Sequence, residues 1–165
     1  MCDRSADARA RNFYERQGWF AVLAVPPHIR GHAVLARSAQ GQCPSGVTAE
    51  TVRGLDVAIA DVTGLLRRYY AETTNIFIVS LRAKDPHVHL HLIPAWPGHI
   101  AAWRAETGHT DGYMFAYLGD LEVATQRQIR EFQDAGGLTE TAAVRQLAPD
   151  METDCAALAN LAARL

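Results

Sequence analysis

The length, composition and charge of the chain are those of an ordinary globular protein. It has 165 residues, of which 48% are hydrophobic and 21% charged, and its formal net charge is −2 at pH 7. This length suits one domain, and the balanced charge gives no reason to expect nucleic acid as a specific partner. No stretch reaches the roughly 18 apolar residues of a membrane span, and no secretory signal opens the chain, so we expect a cytoplasmic protein without a membrane partner.

The first elements in chain order are a helix and two strands. Residues 5–17 predict a short helix with Phe13 and Tyr14 on its buried side. Residues 19–25 and 31–37 are apolar strand candidates. The short connection between these strands predicts an antiparallel pair.

A long helix and two further strands follow. Thr48 is a plausible N-cap, and apolar residues then recur at helical spacing. These residues are Val52, Leu55, Ile59, Val62, Leu66 and Tyr69. Residues 75–81 and 87–93 have the composition of strands. Strands on both sides of a helix, with hairpin-length links, indicate an α+β fold with an antiparallel sheet.

The last third of the chain predicts mainly helices. They span residues 120–137, 139–148 and 149–165, with Gly136-Gly137 and Pro149 as the stop signals. We interpret residues 97–165 as an extension packed on a core of about residues 13–96. Residues 1–165 are therefore expected to form a single domain.

The strongest functional signal is a row of three histidines in "HVHLHLIP" (87–94), namely His87, His89 and His91. On a strand, alternate residues share one face, so the imidazoles form a row and the residues between them point to the opposite, buried face. Such a row is suited to two chemistries, metal binding and phosphoryl or nucleotidyl transfer.

Metal binding and group transfer make different demands on the row. Its two ends lie roughly 13 Å apart, too far for one ion with bonds of about 2 Å, although two of the histidines could bind an ion with a distant ligand. In group transfer, the middle imidazole is the natural nucleophile, and its neighbours can orient it and donate to phosphate oxygens. A metal-dependent enzyme therefore stays open as an alternative.

The row resembles the H-φ-H-φ-H-φ-φ signature of the histidine triad (HIT) superfamily of nucleotide hydrolases and transferases. The segment "VPPHIRGHAVLARS" (25–38) is similar to the strand that supplies the fourth active-site histidine of that family, here His32. His28, four residues earlier, is interpreted as a loop histidine. The resemblance covers roughly residues 13–96 and implies a HIT-like fold with a five-stranded antiparallel sheet, a long helix and a homodimer.

The resemblance also implies a mechanism. His89 would attack the α-phosphorus of a nucleotide-like substrate to give a covalent nucleotidyl-histidine, which water then resolves. His91 would bind the phosphate, and His87 and His32 would complete the network. No metal or cofactor is expected. The bond cleaved would be a phosphoanhydride, phosphoramidate or phosphoester.

The chain departs from the family pattern around the nucleotide. Ala24, followed by Val25, stands where the family usually has an Asp or Asn that binds the ribose hydroxyls. The segment "RAKDP" (82–86) replaces a Gly-Gln-containing phosphate segment, with Arg82 and Lys84 as candidate phosphate contacts. A non-catalytic nucleotide-binding HIT protein therefore stays open as a further alternative.

Overall fold

The protein is represented by a computed structural model, which describes residues 11–37, 49, 52–73, 75–80, 89–109 and 114–165. The strands of the described residues are β1 (Asn12–Arg16), β2 (Trp19–Leu23), β3 (Ala33–Arg37), β4 (Asn75–Val79) and β5 (His89–Ala95). Their helices are α1 (Leu55–Tyr69), α2 (Pro97–Thr107), α3 (Met114–Gly136), α4 (Glu140–Leu147) and α5 (Met151–Ala162). Among these helices, none has both the length and the apolar character that a membrane crossing requires.

The five strands form one sheet in the order β1-β2-β3-β5-β4, and every neighbouring pair is antiparallel. The predicted α+β class, the five-stranded antiparallel sheet and the helical C-terminal part are therefore confirmed. The strands predicted from apolar patterns are also confirmed, with small shifts at their ends. In particular, the triad strand continues to Ala95.

The first strand shows that the prediction of a helix over residues 5–17 was wrong. Residues 5–10 lie outside the described part of the chain, and the residues that follow form β1. The register of β1 against β2 shifts beside Phe13, as in a β-bulge, and the adjacent Phe13 and Tyr14 are both buried. Two consecutive buried aromatic residues do not show the alternation of a regular strand, and the sequence pattern was misread for that reason.

The long amphipathic helix is confirmed as α1, but it begins later than predicted. Its first residue is Leu55, and the preceding Gly54 has a φ of 73°. This left-handed residue prevents the helix from extending towards Val52, which lies in a turn. Thr48 lies outside the described residues. The helix buries Ala58, Val62, Leu65 and Leu66.

The two faces of the sheet have different coverings. One face packs against α1 and α5, and its main core includes Trp19, Leu35, Val62, Leu66, Leu92 and Leu158. The opposite face carries Ile93, which packs with Trp103 of α2 and Tyr117, Leu118 and Leu121 of α3. Because residues alternate along β5, His89 and His91 share this second face with Ile93. We call it the histidine face.

The third helix extends the predicted one towards its N-terminus. It begins at Met114, six residues before the predicted start, and ends at Gly136 as expected, followed by Gly137 with a φ of 60°. The helix α2, over residues that had no predicted element, begins with Pro97 as its first residue. The division into a core and an extension stays a prediction.

Candidate active site

The strand β5 places two of the predicted site histidines on one face. His89 pairs with Ala36 and His91 with Val34 on the neighbouring strand β3. Leu92, on the opposite face, is fully buried in the main core, as the alternation predicted. His87 lies outside the described residues, so the row is seen for two of its three members.

The fourth predicted histidine lies beside the row. His32 immediately precedes β3, and its Nε2 is 2.9 Å from Nδ1 of His91. Only 2% of the surface of His32 is exposed, so solvent has almost no access to this ring, whereas His91 is half-buried. The structure therefore brings together two residues that are 59 positions apart in the sequence.

The hydrogen bonds around His32 determine its tautomer. The backbone N–H of His28 donates to Nδ1 of His32 at 3.2 Å, so this nitrogen carries a lone pair. In a neutral ring the proton is then on Nε2, which donates to Nδ1 of His91. The remaining proton of a neutral His91 is on its Nε2. The chain of bonds thus leaves His91 with an N–H donor on its outer nitrogen.

Both imidazoles of this pair are neutral at pH 7. Burial, together with the nearby His89 and His28, lowers the pKa of His91 to about 4. Burial lowers the pKa of His32 well below its ordinary value, with smaller effects of His28 and His91. If both rings were protonated, their charges would repel each other and neither Nδ1 could accept a hydrogen bond. The neutral state therefore agrees with the observed hydrogen-bond pattern.

His28 makes two contacts with His32, one through its backbone and one through its ring, that the sequence did not reveal. Its ring stacks on that of His32 with the centroids 4.7 Å apart and an angle of 23° between the planes. Burial lowers the pKa of His28, against the opposing effect of Glu122 on α3. His28 lies in the connection between β2 and β3, as its interpretation as a loop histidine implies, and its stacking on His32 was not predicted. The available signal in the sequence was its position in a short segment that leads directly to Gly31 and His32.

The candidate nucleophile, His89, lies next to His91 on the histidine face. The two rings are 5.2 Å apart between centroids and meet at 69°. Only 8% of the His89 surface is exposed. The ring of His89 is thus largely covered by the surrounding described residues.

The loop that carries His28 and His32 is held at several points. The N–H of Ala24 donates to the carbonyl of His32 at 2.8 Å, and the N–H of His32 donates to the carbonyl of Ile29 at 3.0 Å. Gly31 has a φ of 82°, and a Cβ atom there would lie 2.6 Å from the ring of Tyr70. Only glycine fits this position, so the loop packs closely on α1.

The predicted nucleoside-binding residues differ in exposure. Ala24 is buried at 6% exposure, whereas Val25 is 42% exposed. Ala24 lines a cavity of about 230 Å³ together with His32 and with residues at the end of α4 and after it, among them Leu147, Ala148 and Pro149. Arg82 and Lys84 lie outside the described residues. The sequence did not predict that position 24 and this C-terminal segment line the same cavity.

The described side chains form no cluster suited to a metal ion. Within this part of the chain, which does not include His87, no three His, Cys, Asp or Glu residues come together in a way that could hold one.

Comparisons with known proteins complete the description. No protein-family model and no curated protein matches the chain. A solved structure of a HIT-like protein involved in cell-cycle regulation from Bartonella henselae is similar at 17% identity and a TM-score of 0.46, covering 53% of this chain and 70% of that chain. A hypothetical histidine triad nucleotide-binding protein from Sulfolobus tokodaii is similar at 19% identity and a TM-score of 0.46, covering 53% and 62%.

A third solved structure is similar over nearly the whole chain. It is a zinc-bound histidine triad family protein from Mycobacterium smegmatis, with 19% identity and a TM-score of 0.48, covering 97% of this chain and 91% of that chain. All three proteins are described as HIT or histidine triad proteins, the family that the sequence motif resembles.

Proposed function

We propose that this protein is a HIT-type hydrolase or nucleotidyl transferase that acts at the α-phosphorus of a nucleotide-like substrate. One observation carries the proposal. The neutral imidazoles of His32 and His91 are joined at 2.9 Å in a defined order of donors, which leaves an N–H of His91 on the same face as the candidate nucleophile His89. A histidine that only filled the sheet surface would need no such arrangement.

The proposed reaction has two displacements. In the first, a ring nitrogen of His89 uses its lone pair to form a bond to phosphorus, while the bond from phosphorus to the leaving oxygen or nitrogen breaks. The leaving group takes that electron pair and a proton from water. In the second, water or another acceptor attacks phosphorus, loses a proton, and the P–N bond breaks to restore the imidazole. Hydrolysis and transfer differ only in this acceptor.

His91 has the role of a fixed hydrogen-bond donor to a phosphate oxygen. Negative charge on the phosphoryl oxygens is best stabilised by a donor that is already oriented before the reaction. The relay from the backbone of His28 through His32 provides this orientation without placing a charge in the site. The removal of one such donor typically lowers kcat by about 10²- to 10³-fold.

The substrate assignment is based on the resemblance and on position 24. We propose that Arg82 and Lys84 contact the phosphates, that His87 completes the histidine network, and that Ala24 and Val25 lie beside the nucleoside. The methyl group of Ala24 cannot accept hydrogen bonds from ribose hydroxyls. A ribose at this position therefore gains less binding free energy than with the Asp or Asn of the usual family pattern. We further propose, from the resemblance, that the protein is a cytoplasmic homodimer that needs no metal.

A turnover screen tests the proposal. It would compare dinucleoside polyphosphates, nucleoside phosphoramidates, adenylated sugars and nucleoside monophosphate esters. We expect at least one of these classes to be cleaved at the α-phosphorus, and we expect His91→Ala to lower its kcat by about 10²- to 10³-fold. The matched control is His109→Ala, which removes an exposed imidazole that stacks on Trp103. Absence of turnover across the whole set by a folded protein would contradict the proposal.

A further inference from the structure

A buried carboxylate on the last helix is connected to the loop of the active site. Asp154 of α5 is 2% exposed. It accepts two hydrogen bonds from the guanidinium of Arg30, at 2.8 and 3.0 Å, and one from the hydroxyl of each of Tyr69 and Tyr70, both at 2.9 Å. Burial alone would raise the pKa of Asp154, but the bonds from Arg30, Tyr70 and Tyr69 outweigh it and the pKa lies below its ordinary value.

The arginine that binds Asp154 lies midway in the sequence between His28 and His32, whose hydrogen bond sets the tautomer. Arg30 follows His28 by two positions and precedes His32 by two. The carbonyl of Arg30 also accepts a hydrogen bond from the indole N–H of Trp96, at 3.1 Å. The side chain and the backbone of Arg30 are thus both fixed, one by α5 and the other by the residue that follows β5.

The bond that sets the tautomer is sensitive to small movements of this loop. At 3.2 Å, the contact from the His28 N–H to Nδ1 of His32 is at the long end of the hydrogen-bond range. A displacement of a few tenths of an ångström would break it. His32 could then carry its proton on Nδ1 and accept from His91 through Nε2. His91 would in turn hold its proton on Nδ1 and present a lone pair, not a donor, on its outer nitrogen.

We propose that Asp154, acting through Arg30, is a positioning residue that keeps His32 in the Nε2–H tautomer and thereby keeps His91 a donor. The catalytic consequence depends on the proposed function, whereas the tautomer itself does not. The C-terminal helix α5 therefore takes part in the active site without touching the substrate. The doubly hydrogen-bonded guanidinium suits this task, because its planar fork fixes direction as well as distance.

Ring-nitrogen NMR of the histidines tests this inference. In the wild-type protein we expect His32 to show a protonated Nε2 and an unprotonated Nδ1, and His91 to show the same. Asp154→Asn should shift both rings towards a mixture of tautomers. With a cleavable substrate, kcat should fall by about tenfold or more while KM changes by less than about threefold, since the lost interaction belongs to the transition state.

The matched control is Asp61→Asn. Asp61 of α1 likewise accepts from a tyrosine and an arginine, Tyr14 at 2.9 Å and Arg16 at 3.1 Å, but both of these donors lie on β1. We expect this variant to keep the wild-type tautomers and kcat. If Asp154→Asn does not fold, Arg30→Gln serves in its place, because the Arg30 side chain is 52% exposed. Arg30→Lys should restore part of kcat relative to Arg30→Gln.

The outcomes separate the two proposals. Unchanged tautomers in a folded Asp154→Asn or Arg30→Gln variant would overturn the positioning role. Altered tautomers in a protein that cleaves no nucleotide substrate would support the positioning of His32 and contradict the proposed function. A loss of stability with unchanged tautomers would assign Asp154 a purely structural role.

Discussion

The backbone N–H of His28 donates to Nδ1 of His32, and this single contact at 3.2 Å determines the direction of the whole imidazole relay. The donor belongs to the main chain, so its proton cannot be lost at any pH of interest. Nδ1 of His32 is therefore fixed as an acceptor, and Nε2 of the same ring is fixed as the donor to His91.

The first prediction concerns stability at acidic pH. Because the pKa of His91 is about 4 in the folded protein, the unfolded chain binds a proton at higher pH than the folded one. The contribution of the neutral His91 to the free energy of unfolding is complete above about pH 6.5 and is lost as the pH falls towards 4. We compare how much the free energy of unfolding decreases when the pH falls from 7 to 4.5. This decrease should be smaller for His91→Gln than for the wild type by roughly 2–3 kcal/mol.

Urea denaturation at the two pH values measures this difference. A histidine NMR titration gives the same quantity independently, with a midpoint near 4 for His91. Identical pH dependence of the two proteins would show that His91 is not held neutral by its surroundings.

The second prediction concerns the glycine of the loop. Gly31→Ala introduces a Cβ 2.6 Å from the ring of Tyr70 at a φ of 82°. We expect it to lower the free energy of unfolding by about 2–4 kcal/mol, from strain and overpacking together. Gly18→Ala is the matched control, because its φ is 78° and nothing lies within 4 Å of the added atom. Its cost should be about 1 kcal/mol. Equal losses in thermal or urea unfolding would mean that the loop does not pack closely on Tyr70.

Much of this architecture follows from the sequence because it depends on local patterns. The alternation of histidine and apolar residues in β5 predicted both the strand and the shared face of His89 and His91. The bulge beside Phe13 broke that same pattern in β1 and produced the wrong helix. Where alternation holds, the sequence pattern identifies the face of each residue; where one extra residue enters a strand, it does not.

Interactions between distant segments could not be predicted in this way. Nothing near Asp154 in the sequence indicates that its carboxylate lies against Arg30, 124 residues earlier. The role of the residue at position 28 was hidden for a different reason, because its donor is a backbone N–H that every residue except proline has. Only the three-dimensional structure shows which main-chain group faces a ring nitrogen.

The third prediction tests the position next to the nucleoside. Ala24→Asp should tighten the binding of AMP or GMP by about one to two orders of magnitude if a ribose lies there, since a carboxylate can accept from both hydroxyls. The 2′,3′-dideoxy analogues should respond much less. Ala24→Asn is the control for charge, because Asp150 and Asp154 line the same cavity and would repel a new carboxylate. Calorimetry on folded variants measures the effect, and equal responses of ribo and dideoxy ligands would place the ribose elsewhere.

The fourth prediction concerns metal ions. If the reaction uses imidazole as nucleophile, activity should survive EDTA, and the purified protein should contain well below one equivalent of metal per chain. Elemental analysis and chelation with add-back provide the measurements. Stoichiometric zinc or iron, with activity lost on removal and restored on addition, would instead support the metal-dependent alternative.

The most direct test of the central claim is to trap the covalent intermediate. A substrate labelled at the α-phosphorus, mixed briefly with the enzyme and quenched, should leave label on the protein that is labile in acid and stable in base. His89→Ala should abolish this label, whereas His109→Ala, the control imidazole on Trp103, should keep it at the wild-type level. Full labelling of the His89→Ala variant would contradict the assignment of His89 as the nucleophile.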